Sequence, residues 1–66
     1  MTKFDFIILN VKRVKETDGI YKGFSRTELY NQDGTLKAII PASAKQPHKG
    51  TKYKTINCFK YKLNWN

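Results

Sequence analysis

The last third of the chain constrains the fold most strongly, because its side chains alternate in character with a period of two. From Tyr53 onward the odd positions carry mostly aromatic or aliphatic side chains, whereas the even positions from Lys52 to Asn64 include four lysines. Successive side chains of a β-strand point to opposite faces of a sheet, while a helix would scatter both sets around its axis. We therefore predict one long strand over residues 52–64, with an aromatic face and a basic face.

The first part of the chain, residues 3–15, is also predicted to be a strand. A continuous apolar run at residues 6–9 indicates burial on both faces of a sheet. Val11 and Val14 are three positions apart, so a regular strand would place them on opposite faces. We therefore expect a bulge or sharp bend near Lys12-Arg13, of the kind that small barrels need at their corners.

Two Asp-Gly pairs mark turns in the middle of the chain. Asp18-Gly19 and Asp33-Gly34 supply the positive-φ positions that tight turns require. They delimit predicted strands over residues 20–30 and 35–40. Gly23 lies within the first of these, where it indicates a bulge or the close approach of another backbone or a ligand.

A short helix is the alternative for part of the second strand. Residues 25–28 read Ser-Arg-Thr-Glu, which matches a helix capping box, and such a helix would run to Asn31. Only Leu29 and Tyr30 would be available for it to bury, and a turn follows at once, so we favour the strand. Residues 41–51 contain two prolines and a glycine among small polar residues and are predicted to be a loop.

These elements predict one small all-β domain spanning residues 1–66. A bent first strand can serve two sheets, which yields a four- to five-stranded antiparallel barrel of the OB-fold or SH3-like kind. An open meander that dimerises through an edge strand is the alternative. We assign Phe6, Phe59 and Trp65 to the core, and we expect Cys58 to be a buried, reduced thiol.

The residues that catalysis or metal binding would require are scarce. His48 and Cys58 are single residues of their kinds, and neither belongs to a metal-binding pair. The five acids are spread through turns and strand edges, and no phosphate loop or nucleophile motif occurs. We therefore expect no enzymatic activity, no metal site and no cofactor.

The net charge is the strongest indication of a partner. Thirteen lysines and arginines against five acids give a net charge of +8, which stores self-repulsion in a chain of 66 residues. A polyanion would neutralise this charge, and nucleic acid is the commonest one, ahead of anionic membranes and acidic proteins. A solvated basic surface without a partner is the simplest alternative.

Basic residues interleaved with aromatic ones are typical of proteins that bind single-stranded nucleic acid. On the predicted second strand, the side chains of residues 22, 24, 26 and 30 share one face, and Tyr21 joins them only if Gly23 is a bulge. Loop 41–51 adds further cations that would either close over a bound strand or only connect two strands. The predicted phosphate contacts are Lys22, Arg26, Lys60 and Lys62, and the predicted base-stacking residues are Tyr21, Phe24 and Tyr30.

The chain resembles the small OB-fold single-stranded DNA-binding proteins of phages and plasmids. The similar features are the bent first strand, the basic and aromatic hairpin at residues 15–30, and a final strand rich in lysine and aromatic residues. The Gly-Phe-Gly-Phe signature of cold-shock domains is absent. The resemblance implies sequence-tolerant binding along single strands, commonly by homodimers.

A protein-binding module is the competing prediction. A small basic domain with exposed strand edges could instead inhibit an acidic or nucleic-acid-binding protein by adding to its sheet. The first ten residues hold too short an apolar run for a signal peptide, and no run approaches the roughly 20 residues of a membrane-spanning helix. We therefore expect a cytoplasmic protein (in the host cytoplasm if it is viral) without a membrane partner.

Overall fold

The computed structural model describes residues 6–65, which form one five-stranded sheet. The sheet curls into a half-barrel, which confirms the predicted all-β class. Residues 6–65 contain no helix that is long and apolar enough to cross a membrane. The strands are β1 (Ile8–Lys15), β2 (Ser25–Tyr30), β3 (Leu36–Ile40), β4 (Tyr53–Ile56) and β5 (Phe59–Trp65).

The strand order is β3-β2-β1-β5-β4, and the sheet is mixed. β1, β2 and β3 form an antiparallel meander, and β4 and β5 form an antiparallel hairpin. The two units join through β1 and β5, which run parallel, whereas an entirely antiparallel barrel was expected. Parallel neighbours need a long connection between them, and here the two intervening strands, the loop and β4 provide it.

The core lies on the inner, concave face of the sheet. Leu9 and Leu29 are fully buried on the central strands, and Leu63 packs beside them from β5. Paired residues of neighbouring strands share a face, so the pairs Leu9–Leu63 and Val11–Leu29 place these side chains on the same side. The buried cluster is Leu9, Val11, Leu29, Tyr61 and Leu63, with Ala38, Ile40, Ile56 and Trp65 packed against it.

The segment 41–51 is a loop, as predicted, and it is tied to the inner face by hydrogen bonds. The Gln46 side chain accepts a 2.6 Å hydrogen bond from the hydroxyl of Thr27, which is itself fully buried. The indole Nε1 of Trp65 donates to the carbonyl of Thr51 at 2.7 Å. These bonds hold the loop against the sheet, which favours the structural connector over a lid that closes on a bound strand.

The predicted long strand over residues 52–64 is wrong, because the chain reverses in its middle. Asn57 and Cys58 have φ values of +51° and +71° and form a two-residue turn between β4 and β5. Two successive positive φ values are typical of the type I′ hairpin turn. The reversal exchanges the faces of odd and even positions, so Ile56 packs against the core whereas Tyr53 is exposed.

Several residues expected in the core are exposed because they lie at the hairpin turn or before the first strand. Cys58 lies at the hairpin turn and is exposed rather than buried. Phe59 is 68% exposed because it pairs with Ile56 at the tip of the hairpin, beyond the reach of the other strands. Phe6 and Ile7 precede β1 and are exposed as well, so the expected burial of this run on both faces is wrong. Trp65 is half-buried against the core.

The bulge expected near Lys12-Arg13 is also absent from the described sheet. β1 pairs with β2 in one continuous register from Asn10 to Lys15. The register shift lies between β2 and β3 instead, because Leu29 pairs with Ala38 while Tyr30 pairs with Leu36. The extra residue is Lys37 on β3, an edge strand, where bulges are common.

The second and third strands are shorter than predicted. β2 begins at Ser25, so Gly23 lies in the preceding loop with a φ of +93° and not within a strand. Lys22 and Phe24 therefore do not share a strand face with Arg26 and Tyr30. The capping-box sequence forms a strand, as favoured. The turn at residues 31–34 is confirmed by hydrogen bonds that join Asn31 to Thr35 and Gly34.

Candidate nucleic-acid interface

The outer face of the sheet brings exposed lysines and aromatic rings together near the β4–β5 hairpin. Lys62 pairs with Ile8 on one side and with Tyr53 on the other, so the three side chains share the outer face. Lys60 is two residues earlier on β5, about 6.6 Å along the same face. We define the basic–aromatic face by its exposed residues Phe6, Tyr53, Lys60 and Lys62.

Two aromatic rings form the centre of this face. The ring centroids of Phe6 and Tyr53 are 5.1 Å apart with an interplanar angle of 59°. The Lys60 ammonium lies 5.1 Å from the Tyr53 centroid and 6.0 Å from that of Phe6. Both rings remain about 40% exposed. The Lys60 ammonium and the two exposed rings therefore lie within 6.0 Å of one another. This arrangement is suited to binding a phosphate next to stacked bases.

Polar residues link the two strands that carry the face. The Asn64 amide donates a 2.9 Å hydrogen bond to the side-chain oxygen of Asn10 on the neighbouring strand β1. This pair lies two residues beyond the Ile8–Lys62 pair in the parallel ladder, on the same face of the sheet. Because the ladder and this side-chain bond fix β5 against β1, Lys62 projects from a rigid part of the sheet.

Carboxylates are concentrated away from this face. Every Asp and Glu of the chain lies within residues 1–33, whereas residues 34–66 carry seven lysines and no acid. Asp33 accepts hydrogen bonds from the backbone and hydroxyl of Thr35, and these lower its pKa. Asp18 accepts a hydrogen bond from the backbone of Gly19. Neither turn carboxylate forms an ion pair with a lysine of the basic–aromatic face.

The two outer-face carboxylates of the described chain, Glu16 and Glu28, both bind Arg26. The guanidinium lies 3.0 Å from Glu16 Oε1 and 2.9 Å from Glu28 Oε2. The Tyr30 hydroxyl donates to the other Glu28 oxygen at 2.6 Å. The hydrogen bond from Tyr30, and after it the bond from Arg26, lowers the pKa of Glu28. The Tyr30–Glu28 bond also raises the pKa of Tyr30.

This network occupies two of the residues predicted to bind nucleic acid. The hydrogen bonds that Arg26 donates to Glu28 and then to Glu16 raise the pKa of Arg26, whose charge is balanced by two carboxylates. A phosphate would compete with both carboxylates for this guanidinium. Tyr30 is half-buried, and its hydroxyl is committed to Glu28.

Three other predicted residues lie in the β1–β2 loop, at the opposite end of the molecule from the β4–β5 turn. The rings of Tyr21 and Phe24 meet edge-on, with centroids 6.1 Å apart, and Lys22 is exposed between them in sequence. The loop is closed by hydrogen bonds between Glu16 and the backbones of Gly23 and Phe24. The longest dimension of the molecule is 50 Å. The predicted site residues therefore fall into separate places and do not form one cluster.

The interpretation of the sequence missed two residues of the basic–aromatic face. Tyr53 was assigned to the aromatic face of the predicted long strand and Phe6 to the core. Two signals in the sequence point to them. The confinement of acids to residues 1–33 identifies the second half as the basic one, and Asn57 is a residue that tolerates positive φ. A turn there would have placed Tyr53 beside Lys62.

Comparisons with known proteins add no assignment. Searches against protein-family models, curated proteins and solved structures each found no match. Among the described residues, no three side chains of His, Cys, Asp or Glu are grouped as metal ligands.

Proposed function

We propose that the protein binds single-stranded nucleic acid through the basic–aromatic face. The observation that carries the proposal is the group of Lys60, Tyr53 and Phe6, with Lys62 next to it and no acid in the sequence after Asp33. Lysines near phosphates release condensed counterions, and exposed rings provide stacking surfaces for bases. Both features are present on one face of one sheet.

The geometry suggests a separate role for each of the side chains Lys60, Lys62 and Tyr53. Lys62 extends from the sheet toward phosphates. Lys60 lies over the Tyr53 ring in the free protein. A base that stacks on this ring displaces the ammonium group, which then reaches a neighbouring phosphate on its flexible stem. Paired bases in a duplex cannot offer their faces to the ring, and this is the reason to expect a preference for single strands.

A fluorescence-anisotropy titration with labelled oligo-dT tests the proposal. We expect binding that is tighter than to a duplex of equal length and that weakens with salt, with log K falling by about 0.7 per log unit of salt for each phosphate contacted. Affinity that does not change between low and moderate salt, or no binding at low salt, would overturn it.

Charge-matched variants distinguish the face from the net charge of the protein. The variant Lys60→Ala/Lys62→Ala should weaken binding and reduce the salt slope by about 1.4, since two phosphate contacts are lost. The control Lys15→Ala/Lys49→Ala removes two exposed lysines outside the face and lowers the net charge equally. Equal losses in both variants would mean that the basic–aromatic face is not the site.

The aromatic contribution is tested at Tyr53. Tyr53→Ala should weaken oligo-dT binding by about 1–3 kcal/mol, the value of one stacked base. Tyr53→Phe keeps the ring and should bind nearly as well as the unaltered protein. Similar affinities for all three proteins would remove Tyr53 from the proposed site.

The β1–β2 loop is a second candidate contact, because Tyr21, Lys22 and Phe24 are all exposed there. Between it and the basic–aromatic face lies the Arg26 network, whose two carboxylates and one guanidinium are net negative. We therefore expect Tyr21→Ala to reduce affinity less than Tyr53→Ala. The reverse order would shift the main site to the loop.

With this function we also propose a cytoplasmic location, where single-stranded nucleic acid is accessible. The exposed thiol of Cys58 fits that reducing compartment.

A further inference from the structure

We propose that two copies of this chain associate through the outer edge of β3, which would join two half-barrels into one continuous sheet. The sheet of the described residues ends at β3 on one side and at β4 on the other. An edge strand presents backbone N–H and C=O groups to any strand that can pair with them. The two edges differ in how well they are protected.

The bulge at Lys37 gives β3 an unusual outer surface. Leu36 pairs with Tyr30 and Ile39 pairs with Glu28, so both aliphatic side chains share the outer face although they are three positions apart. Leu36 is 50% exposed and Ile39 is 46% exposed. The result is an apolar strip directly beside the unpaired edge.

The same bulge removes the charge that would otherwise protect this edge. A lysine on an edge strand commonly prevents pairing with another chain. Here the Lys37 ammonium lies 5.3 Å from the ring centroid of Tyr61, which is a buried residue of the inner face. Lys37 is therefore directed away from the apolar strip.

The opposite edge is protected. β4 has only four residues, and the exposed Lys52 precedes it directly. Two copies that paired there would bring a Lys52 from each copy to the shared edge. Lys54 pairs with the inner-face residue Tyr61 and, like Lys37, does not protect the outer face. The charge of Lys52 therefore favours β3 as the edge that binds a second copy.

The shape of the chain is consistent with a surface left open for a partner. Its accessible surface is 5190 Å², whereas a compact monomer of this mass exposes about 4,300 Å². Its radius of gyration is 13.1 Å, against about 10.8 Å for a compact chain of this length. Few of the large apolar side chains are buried, and Leu36 and Ile39 are among those exposed.

Antiparallel pairing of two copies of β3 satisfies the two-fold symmetry of a homodimer. If Leu36 of one copy faces Ile39 of the other, the two-fold axis places the reciprocal pair beside it. The four aliphatic side chains then form one apolar cluster on the outer face. In this register Lys37 faces Ala38, so no two lysines of β3 are directly opposed. The net charge of +8 on each copy opposes association, and added salt should therefore strengthen the dimer.

Sedimentation equilibrium without nucleic acid tests the proposal. At moderate salt and about 100 µM protein, we expect a mass twice that of the 7.7 kDa chain, with dissociation toward the monomer at low salt. Ile39→Lys should shift the protein to the monomer, whereas Ile20→Lys, at a position 89% exposed in the β1–β2 loop, should not. A monomer under all conditions would overturn the proposal and leave the β3 edge available to a strand of another protein.

Cross-linking tests the register without depending on the fold of the lysine variant. In a Cys58→Ser background, Leu36→Cys/Ile39→Cys should form a covalent dimer on mild oxidation, whereas Ile20→Cys should stay monomeric. Absence of a covalent dimer from the double-cysteine protein would exclude this register. Both experiments contain no oligonucleotide, so their outcome is independent of the proposed nucleic-acid binding.

Discussion

Glu28 shows how one buried carboxylate organises the outer face of β2. It is 8% exposed, and hydrogen bonds from Tyr30 and Arg26 satisfy both of its oxygens. Because these bonds favour the ionised form, the pKa of Glu28 lies below its ordinary value of 4.5 in the folded protein. The residue removes Arg26 from the set of free cations and separates the β1–β2 loop from the basic–aromatic face.

This lowered pKa predicts an acid-dependent stability. The contribution of Glu28 is present above pH 4.5 and is lost as the pH falls through the lower pKa of the folded state. Glu28→Gln should therefore be less stable near neutral pH, and its stability should fall less on acidification. Urea unfolding followed by circular dichroism between about pH 6 and pH 3 measures both curves. Parallel curves would contradict the prediction; Asp33, whose pKa is also lowered, keeps some pH dependence in both proteins.

Leu29 tests how much of the fold depends on its small core. It is fully buried on β2, and few residues of the described chain are. Leu29→Ala should cost about 2–5 kcal/mol, which is comparable to the roughly 3–5 kcal/mol that a core of this size provides. We expect a largely unfolded variant by circular dichroism at 25 °C, while Ile20→Ala should change stability by less than about 0.5 kcal/mol. A well-folded Leu29→Ala protein would show that stability comes from elsewhere.

At the scale of elements, the β4–β5 turn decides where the functional side chains point. Asn57 and Cys58 both adopt positive φ, which costs a residue with a Cβ roughly 1–2 kcal/mol unless its side chain compensates. Asn tolerates this region, whereas Cys has no special preference for it. The turn joins the two strands in one antiparallel ladder from Ile56–Phe59 to Tyr53–Lys62 and brings Ile56 to the core.

The strain at Cys58 predicts the direction of two substitutions. Cys58→Gly creates the Asn-Gly pair favoured in this turn and should raise the free energy of unfolding by about 0.5–1 kcal/mol. Cys58→Val places a β-branched side chain at positive φ and should lower it by about 1–2 kcal/mol. Urea denaturation at neutral pH measures both values. Equal stabilities of the two variants would indicate that the turn relaxes to another conformation.

For the whole molecule, the net charge of +8 and the elongated shape act together. Like charges spread over a small domain repel one another more in the folded state than in the expanded chain. Two carboxylates balance the charge of Arg26 locally, but residues 34–66 have no acid to balance their lysines. Screening by salt should therefore stabilise the fold and, by the same mechanism, weaken its binding to nucleic acid.

This opposition is measurable in one series of experiments. Raising NaCl from about 20 to 200 mM shortens the screening length from about 20 Å to under 10 Å and should raise the thermal midpoint of the free protein. Over the same range the affinity for oligo-dT should fall. As a control, the thermal midpoint is measured at a protein concentration too low for the proposed dimer to form, so that a rise with salt reports screening and not association. A midpoint that falls with salt would contradict the expected self-repulsion.

The sequence by itself determined the fold class, the two Asp-Gly turns, the loop at residues 41–51 and the basic character of the surface. These follow from local properties: side-chain alternation, the φ range of glycine and proline, and charge count. The preference for a strand over a helix at residues 25–28 also held, because nothing nearby could bury a helical face.

Only the tertiary structure decided which lysines and rings lie together. The alternation of side-chain character continues through residues 53–65 although the hairpin exchanges the faces of odd and even positions, so this pattern does not reveal the turn. The bulge on β3 and the parallel pairing of β1 with β5 arise between segments far apart in the chain, where local propensity carries no information. Tyr53 reaches Lys60 and Phe6 because Asn57 and Cys58 reverse the chain and the β1–β5 ladder aligns its ends.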